Sequence, residues 1–369
     1  MNRGAALENL TGAIIELCRS GLAPEQLRDR VLPRLRSVVP FDAAFWATVD
    51  PATLLFTRGH QQDIPPDTAA YFVRNEYADD DVNRWTTLAQ DRAGVRSLAQ
   101  ATAGDMERSA RFREIFQPLG LGDELRAVFR VGGVCWGCMC LHRQLGRAFT
   151  TDERDHVRRL APHIAEAIRT SLLITSFELP QIADAPGLVM LGPDGSIISS
   201  TDAGERWLEE LGWPRSETTQ APTELRALAA VVDQPENGAH ELARMQMRTL
   251  SGRWAVLHGS KLATETAPTI AVIIEEATPA DLAPILMMAY GLTNRERTIT
   301  SLICRGLSTR DIAERLHITP NTIQDHLKSI FDKTEVRTRR QLAMSLLQRD
   351  YTPRTMADTP IGPSGFFVE

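Results

Sequence analysis

The sequence predicts an α+β protein built from several modules, the last of them all-α. Three observations lead there. A chain of 369 residues is long enough for two or three hydrophobic cores. Residues 1–174 and 187–277 alternate strand-like runs with runs of helical periodicity. Residues 290–350 carry helical periodicity alone, divided by explicit start and stop signals.

In chain order, Ala5–Ser20 and Pro24–Val38 read as helices, broken at Gly21 and closed by Pro40. Ala43–Val49 and Leu54–Arg58 read as strands joined by the turn-forming run Asp50-Pro51-Ala52-Thr53. A mostly helical, aromatic-bearing stretch follows to Leu119. Leu125–Val131 and Val134–His142 then form an expected hairpin about Gly132-Gly133, a favoured two-residue turn. Thr150 with Glu153 caps a long helix from Asp152 to Ile174, whose apolar stripe is Val157, Leu160, Ile164, Ile168 and Leu172.

The phrase GDELRAVFRVGGVCWGCMCLHRQLGRAFTTDERDHVRRLAPHIAEAIR, set in that order of elements, resembles a GAF domain. The resemblance implies an α/β sensor over residues 1–174 that holds a small molecule between its sheet and covering helices. Phe45, Trp46, Phe72, Trp85, Phe112, Phe116 and Phe129 are the candidate pocket walls. Cys135, Cys138, Cys140 and His142 invite a metal or redox reading. Strand alternation places Cys138, Cys140 and His142 on one face and Cys135 on the other. Ligands spaced along a flat strand converge poorly on a tetrahedral ion, so these residues read as buried core and no metal is assigned. A thiol-redox sensor using Cys135, Cys138 and Cys140 is the alternative.

Residues 175–186, punctuated by Pro180 and Pro186, read as a linker. Gly187–Ser199 reads as two strands about Gly192-Pro193-Asp194-Gly195, and Asp202 with Glu205 opens a helix. Thr223–Val232 is a second helix, and Leu242–Leu250, Arg253–Ser260 and Ile270–Glu275 are three antiparallel strands. With PGLVMLGPDGSIISSTDAGERWL and SGRWAVLHGS, residues 187–277 resemble a PAS domain, a second α/β sensor fold. His240 and His258 are its haem-ligand candidates, but lone histidines more often serve the surface, and no cofactor is required. Asp281–Ala289 falls in a helical connector spanning 278–289, and 351–369 is an expected loose tail.

The C-terminal helices are the most explicit. Thr293 with Glu296 makes a capping box, and Gly306 ends that helix. Ser308 with Asp311 opens the second helix, Thr319-Pro320 the third, and Thr338 with Gln341 the fourth. Ile299, Leu302 and Ile303, then Ile312, Ala313 and Leu316, then Ile323, Leu327, Ile330 and Phe331 point inward, as do Leu342, Leu346 and Leu347. His317-Ile318-Thr319 is the short link of a helix-turn-helix. On the third helix Asn321, Gln324, Asp325, Lys328 and Asp332 form one polar stripe, of a width that fits a DNA major groove.

Leu292-Thr293-x-Arg295-Glu296, Gly306-Leu307-Ser308, Asp311-Ile312-Ala313-x-x-Leu316, Thr322-Ile323-x-x-His326-Leu327 and Lys333–Arg339 resemble the DNA-binding domain of LuxR-type regulators. The resemblance implies base reading by Gln324, Asp325 and Lys328. It implies phosphate contacts by Thr309, Arg310, Asn321, Thr322 and Arg339. Glu335 departs from it, standing where the family often has Gly or Asn for a left-handed turn.

Charge agrees with a DNA-binding end. The chain carries a formal −6, yet residues 290–350 hold 11 Lys and Arg against 7 Asp and Glu. No lysine occurs before Lys261, which weighs against a phosphorelay receiver. No apolar run approaches the roughly 20 residues of a membrane span. The expectation is therefore a cytoplasmic, non-enzymatic, one-component transcription regulator. It binds double-stranded DNA as a homodimer and answers a small-molecule effector.

Overall fold

The computed structural model describes residues 3–174, 185–213, 220–232, 243–262 and 268–347. Two helices lead, α1 (Arg3–Cys18) and α2 (Pro24–Val38), the second carrying proline in its first turn, where a missing N–H costs nothing. Next come β1 (Ala43–Val49) and β2 (Phe56–Gln62). The second strand begins two residues later than its composition suggests. Asp50 organises a longer turn by accepting from Ala52 N–H at 2.9 Å, and Leu54 sits at φ 61°, outside any strand.

The helical stretch holds α3 (Ala69–Tyr77), α4 (Trp85–Gln90) and α5 (Leu98–Ala101). It also holds β3 (Val95–Ser97), too short for its alternation to register in sequence. Then β4 (Leu121–Val131) and β5 (Val134–Gln144) form the hairpin, turning at Gly132 (φ 59°) and Gly133 (φ 79°). Both angles are left-handed, as a tight hairpin turn demands, and both are open to glycine at little cost. Helix α6 (Thr151–Ile174) follows, with Glu153 N–H donating to Thr150 Oγ1 at 3.3 Å as expected. The sheet is antiparallel, in order β2-β1-β5-β4-β3. Val157, Leu160, Ile164 and Ile168 of α6 are buried, and α6 packs on β4 and β5, so the stripe seals one sheet face.

The register corrects the expected orientation of Cys135. Pairing shifts between Phe129 and Arg130, where Gly137 faces Phe129 but Cys135 faces Arg130. One extra residue in β5 inverts the alternation beyond it. Cys135 therefore joins Cys138 and Cys140 in the same buried cluster instead of pointing away.

The second sheet repeats the plan with β6 (Gly187–Leu191), β7 (Ile197–Ser200), α7 (Asp202–Glu210), α8 (Thr223–Val232), β8 (Ala243–Arg248), β9 (Trp254–Leu262) and β10 (Thr269–Glu276). Its order, β7-β6-β10-β9-β8, is that of the first sheet strand for strand. Thr201, not Asp202, caps α7, accepting from Gly204 N–H at 3.1 Å. His258 lies 3.3 Å from Glu275, and His240 falls outside the described residues, as do 175–184 of the linker and all of 351–369.

The described residues among 3–174, 185–250 and 255–275 form one compact unit. Backbone groups meet side chains across the seam between the sheets. Gln246 N–H donates to Asp50 Oδ2 at 2.9 Å and Gly59 N–H to Glu224 Oε1 at 2.8 Å. Arg58 donates to the carbonyls of Leu211 and Arg248. Burial raises the Glu224 carboxyl above its ordinary range, the Gly59 N–H opposing the rise.

The second unit contains α9 (Pro279–Ala289), α10 (Asn294–Cys304), α11 (Thr309–Leu316), α12 (Pro320–Thr334) and α13 (Arg339–Leu347). Thr278–Asp281, Thr293–Glu296 and Ser308–Asp311 are complete capping boxes. Thr338 accepts from Gln341 N–H at 3.1 Å, but the Gln341 side chain reaches back to Arg337 N–H instead, so the fourth box is half formed. Helix α9 packs against α10 and α13, and Leu342 and Leu346 of α13 are buried. No helix among the described residues is long and apolar enough to cross a membrane.

Candidate nucleic-acid interface and buried polar core

Helix α12 divides its residues by role. Ile323, Leu327 and Ile330 are buried, while Asn321, Gln324, Asp325, Lys328 and Asp332 are all exposed. A three-residue turn, with His317 at φ 53°, delivers the helix from α11. Thr319 accepts from Thr322 N–H at 3.2 Å, fixing the end from which a recognition helix approaches base edges. The structure thus brings Gln324, Asp325 and Lys328 onto one solvent-facing stripe.

The expected phosphate contacts divide in two. Arg310 and Asn321 are exposed, Arg310 in an i,i+4 pair with Glu314 at 3.0 Å. Thr309, Thr322 and Arg339 are already engaged. Arg339 donates to the Leu307 carbonyl at 3.0 Å and to Thr309 Oγ1 at 2.9 Å, and the Thr322 hydroxyl lies 2.9 Å from that of Thr319. Arg339 is thereby a clamp on the start of α11.

Glu296 fixes how α12 is held. Besides its capping bond to Thr293 N–H at 2.7 Å, it accepts from Ser329 at 2.7 Å and Lys333 at 2.7 Å on α12. Burial opposes its charge, yet the bonds from Lys333, Ser329 and Thr293 hold the carboxyl down to about 2. Lys333 is therefore spent internally and Lys328 is left on the stripe. Glu335 ends α12 at φ 56°, ψ 31°, the left-handed turn for which glycine or asparagine is better suited.

In the first unit the seven aromatic candidates separate. Phe45, Phe72, Trp85, Phe112 and Phe116 belong to one buried cluster, with Phe45 at 5.4 Å from Phe72 and 5.6 Å from Trp85. Phe56 and Tyr77 complete it. Trp46 and Phe129 stack together at 4.5 Å outside that cluster, and neither shares its space. Alternation explains the split, because Phe45 and Trp46 are neighbours on one strand.

Among those aromatics lies a polar network that sequence reasoning did not single out. Arg111 donates to Glu124 at 2.8 Å, to Asp81 at 3.3 Å and to Asn75 at 2.9 Å. Arg126 donates to Glu124 at 2.9 Å and Glu76 at 2.6 Å, with its guanidinium 4.0 Å from the Trp85 ring. All five charged side chains are at most 1% exposed. Burial raises the Glu76 carboxyl, Arg126 and Arg111 opposing it. At Glu124 the same burial is outweighed by Arg111 and Arg126, which hold it down to about 2. Burial and the two guanidiniums bring the His142 imidazole down to about 4, against the pull of Glu124. Trp85 Nε1, Arg126 Nη2 and both ring nitrogens of His142 are buried without a hydrogen-bond partner. A signal was present: Glu124 and Arg126 share the strand phase of Val128 and must point inward with it.

An open cleft of about 540 Å³ lies beside α3, lined among others by Tyr71, Arg74, Asp194 and Arg226. None of the seven aromatic candidates lines it.

Residues 291–346 match the family described as bacterial regulatory proteins, luxR family, and this segment is a luxR-type helix-turn-helix. Over 58 residues the chain is 40% identical to the HTH-type transcriptional regulator Mb0914c of Mycobacterium bovis, covering 16% of this chain and 7% of that one. It is 29% identical over 157 residues to the HTH-type transcriptional regulator YhjB of Escherichia coli, covering 41% of this chain and 60% of YhjB. The chain thus spans under a tenth of the mycobacterial relative and about three fifths of YhjB. Among solved structures, Escherichia coli SdiA aligns over 92% of this chain and 97% of its own at 11% identity and a TM-score of 0.34. The GAF domain of an Acinetobacter phosphoenolpyruvate-protein phosphotransferase aligns over 48% of this chain and 100% of its own, at 11% identity and a TM-score of 0.34.

Proposed function

We propose that the chain is a one-component transcription regulator that binds double-stranded DNA in a sequence-specific manner through α12. The observation that carries the reading is the exposed stripe Asn321, Gln324, Asp325, Lys328 and Asp332 on a helix whose opposite side is locked into a luxR-type module. Gln324 offers a bidentate partner for adenine, Asp325 an acceptor for cytosine and Lys328 a donor for guanine. Arg310 and Asn321 contact phosphate, while Thr309, Thr322 and Arg339 act on phosphate by shaping the start of α11 and α12. One module makes few base contacts, so the operator is read by a homodimer across two half-sites about one DNA turn apart. No catalytic role is proposed, and the working compartment is the cytoplasm.

The sensory role belongs to residues 1–174, read as GAF-like, with 187–277 as a PAS-like partner and 278–289 as the connector into 290–350. A small-molecule effector finds its polar handle in the cleft beside Tyr71, Arg74 and Arg226. The redox alternative has less support, since burial raises the Cys135 thiol to about 11 and the Cys138 and Cys140 thiols well above their ordinary value.

Selection of bound sequences from a random duplex pool, followed by titration of the winner, tests the DNA reading. Gln324→Ala and Lys328→Ala should each weaken the selected site by about 1–3 kcal/mol and relax preference at one position. Unchanged affinity and preference in both variants would remove α12 as the reader.

A further inference from the structure

Strand register brings together three side chains that sequence spacing alone holds apart. Cys140 and His142 are two residues apart on β5, and Glu124 on β4 pairs directly opposite His142. Residues facing one another across a ladder share a sheet face, so all three project into the same interior. One Glu124 oxygen, Cys140 Sγ and one His142 ring nitrogen all lie within 4.8 Å of one another, and all three residues are buried. The convergence a single strand could not supply comes from its neighbour.

We propose that Glu124, Cys140 and His142 bind a divalent transition-metal ion of the zinc class within the first sheet's core.

The second observation is His142 itself. It is 0% exposed and both ring nitrogens lack a hydrogen-bond partner, although a buried polar group left unpaired is destabilising and uncommon. The Phe116 ring, 4.7 Å from that of His142, holds the imidazole in place. Cys140 Sγ and a Glu124 oxygen are within 4.8 Å of each other, so a metal replacing the thiol proton would lie between the sulfur and the carboxylate. Ligand atoms about 2.0–2.3 Å from zinc sit roughly 3.5 Å from one another, a contraction that side-chain rotation can supply.

Charge points the same way. The network sets two guanidiniums, Arg111 and Arg126, against three carboxylates, Glu76, Asp81 and Glu124, leaving one negative charge in excess. Coordination of a dication with release of the Cys140 proton to solvent brings the buried cluster to neutrality. Thiolate, imidazole and carboxylate together suit zinc or ferrous ion better than calcium or magnesium, which take oxygen alone. Three protein ligands leave a fourth position open.

The test uses the full chain, stripped with chelator under reducing conditions and titrated with Co²⁺ in place of zinc. One equivalent should bring up thiolate-to-cobalt absorption that added Zn²⁺ abolishes. Cys140→Ser should lose the absorption, Cys138→Ser should keep it, and His142→Gln should weaken binding at least tenfold with an unchanged circular dichroism spectrum. A folded wild-type chain that gives no saturable absorption overturns the site, and so does a Cys140→Ser variant that retains it. Should Cys140→Ser fail to fold, a chain with Cys18, Cys135, Cys138 and Cys304 changed to Ser decides. Retained absorption supports the site and lost absorption overturns it. DNA binding is not read in this experiment, so its outcome is independent of the regulator reading.

Discussion

At the scale of single residues, the DNA-binding module contains two left-handed non-glycine positions, His317 and Glu335, and one strongly stabilised carboxylate. Glu335 adopts the left-handed conformation at φ 56°, which costs a residue with a Cβ about 1–2 kcal/mol. Glu335→Gly should raise stability by roughly 0.5–1 kcal/mol after the added unfolded-state entropy, a rise in the melting midpoint checked by calorimetry. Glu296 works in the other direction. Its folded pKa of about 2 lies below its ordinary value of 4.5, so its stabilisation is present above pH 4.5 and drains as pH falls from there towards 2. Glu296→Gln should lower stability at pH 7 by about 1–3 kcal/mol and flatten the acid limb of the stability curve. Denaturant melts of both proteins across pH 2–7 would measure it.

At the scale of elements, legibility followed the nature of the signal. The caps of α10, α11 and α12 were readable because a hydroxyl followed three residues later by a carboxylate, or by a first-turn proline, states a helix start locally. Short β3 was not readable, since three residues give alternation no room and the strand exists only because β4 lies beside it. The late start of β2 was hidden in Leu54's backbone angle, and the inverted Cys135 in a bulge, neither of which has a sequence signature. Glu124 and His142 are 18 positions apart in sequence, and only pairing makes them neighbours. The seam offers an element-level prediction. Glu224→Ala leaves the Gly59 N–H without its acceptor and should cost about 1–3 kcal/mol. Glu224→Gln keeps the acceptor, removes a buried charge and should be neutral or stabilising. Thermal melts of the pair separate the two roles of that carboxylate.

At the scale of the molecule, an acidic chain carries a basic C-terminal module, the end proposed to meet DNA. The module's surplus of cations is small, so the phosphate term is small and salt should reveal it plainly. Arg310→Ala should weaken binding to all sequences alike and reduce the slope of log affinity against log salt by about one, whereas Gln324→Ala should leave the slope unchanged. Fluorescence anisotropy at several salt concentrations distinguishes them. A slope unaffected by Arg310→Ala would assign the phosphate contact elsewhere on the module.

The seam between the two sheets has a mechanical consequence. Its ties run from carboxylates to main-chain amides and from Arg58 to main-chain carbonyls, short directional bonds that join backbone to side chain rather than one flexible tip to another. Such a joint resists bending and transmits tilt. A displacement of one sheet is therefore expected to tilt the other with it, with little loosening at the joint.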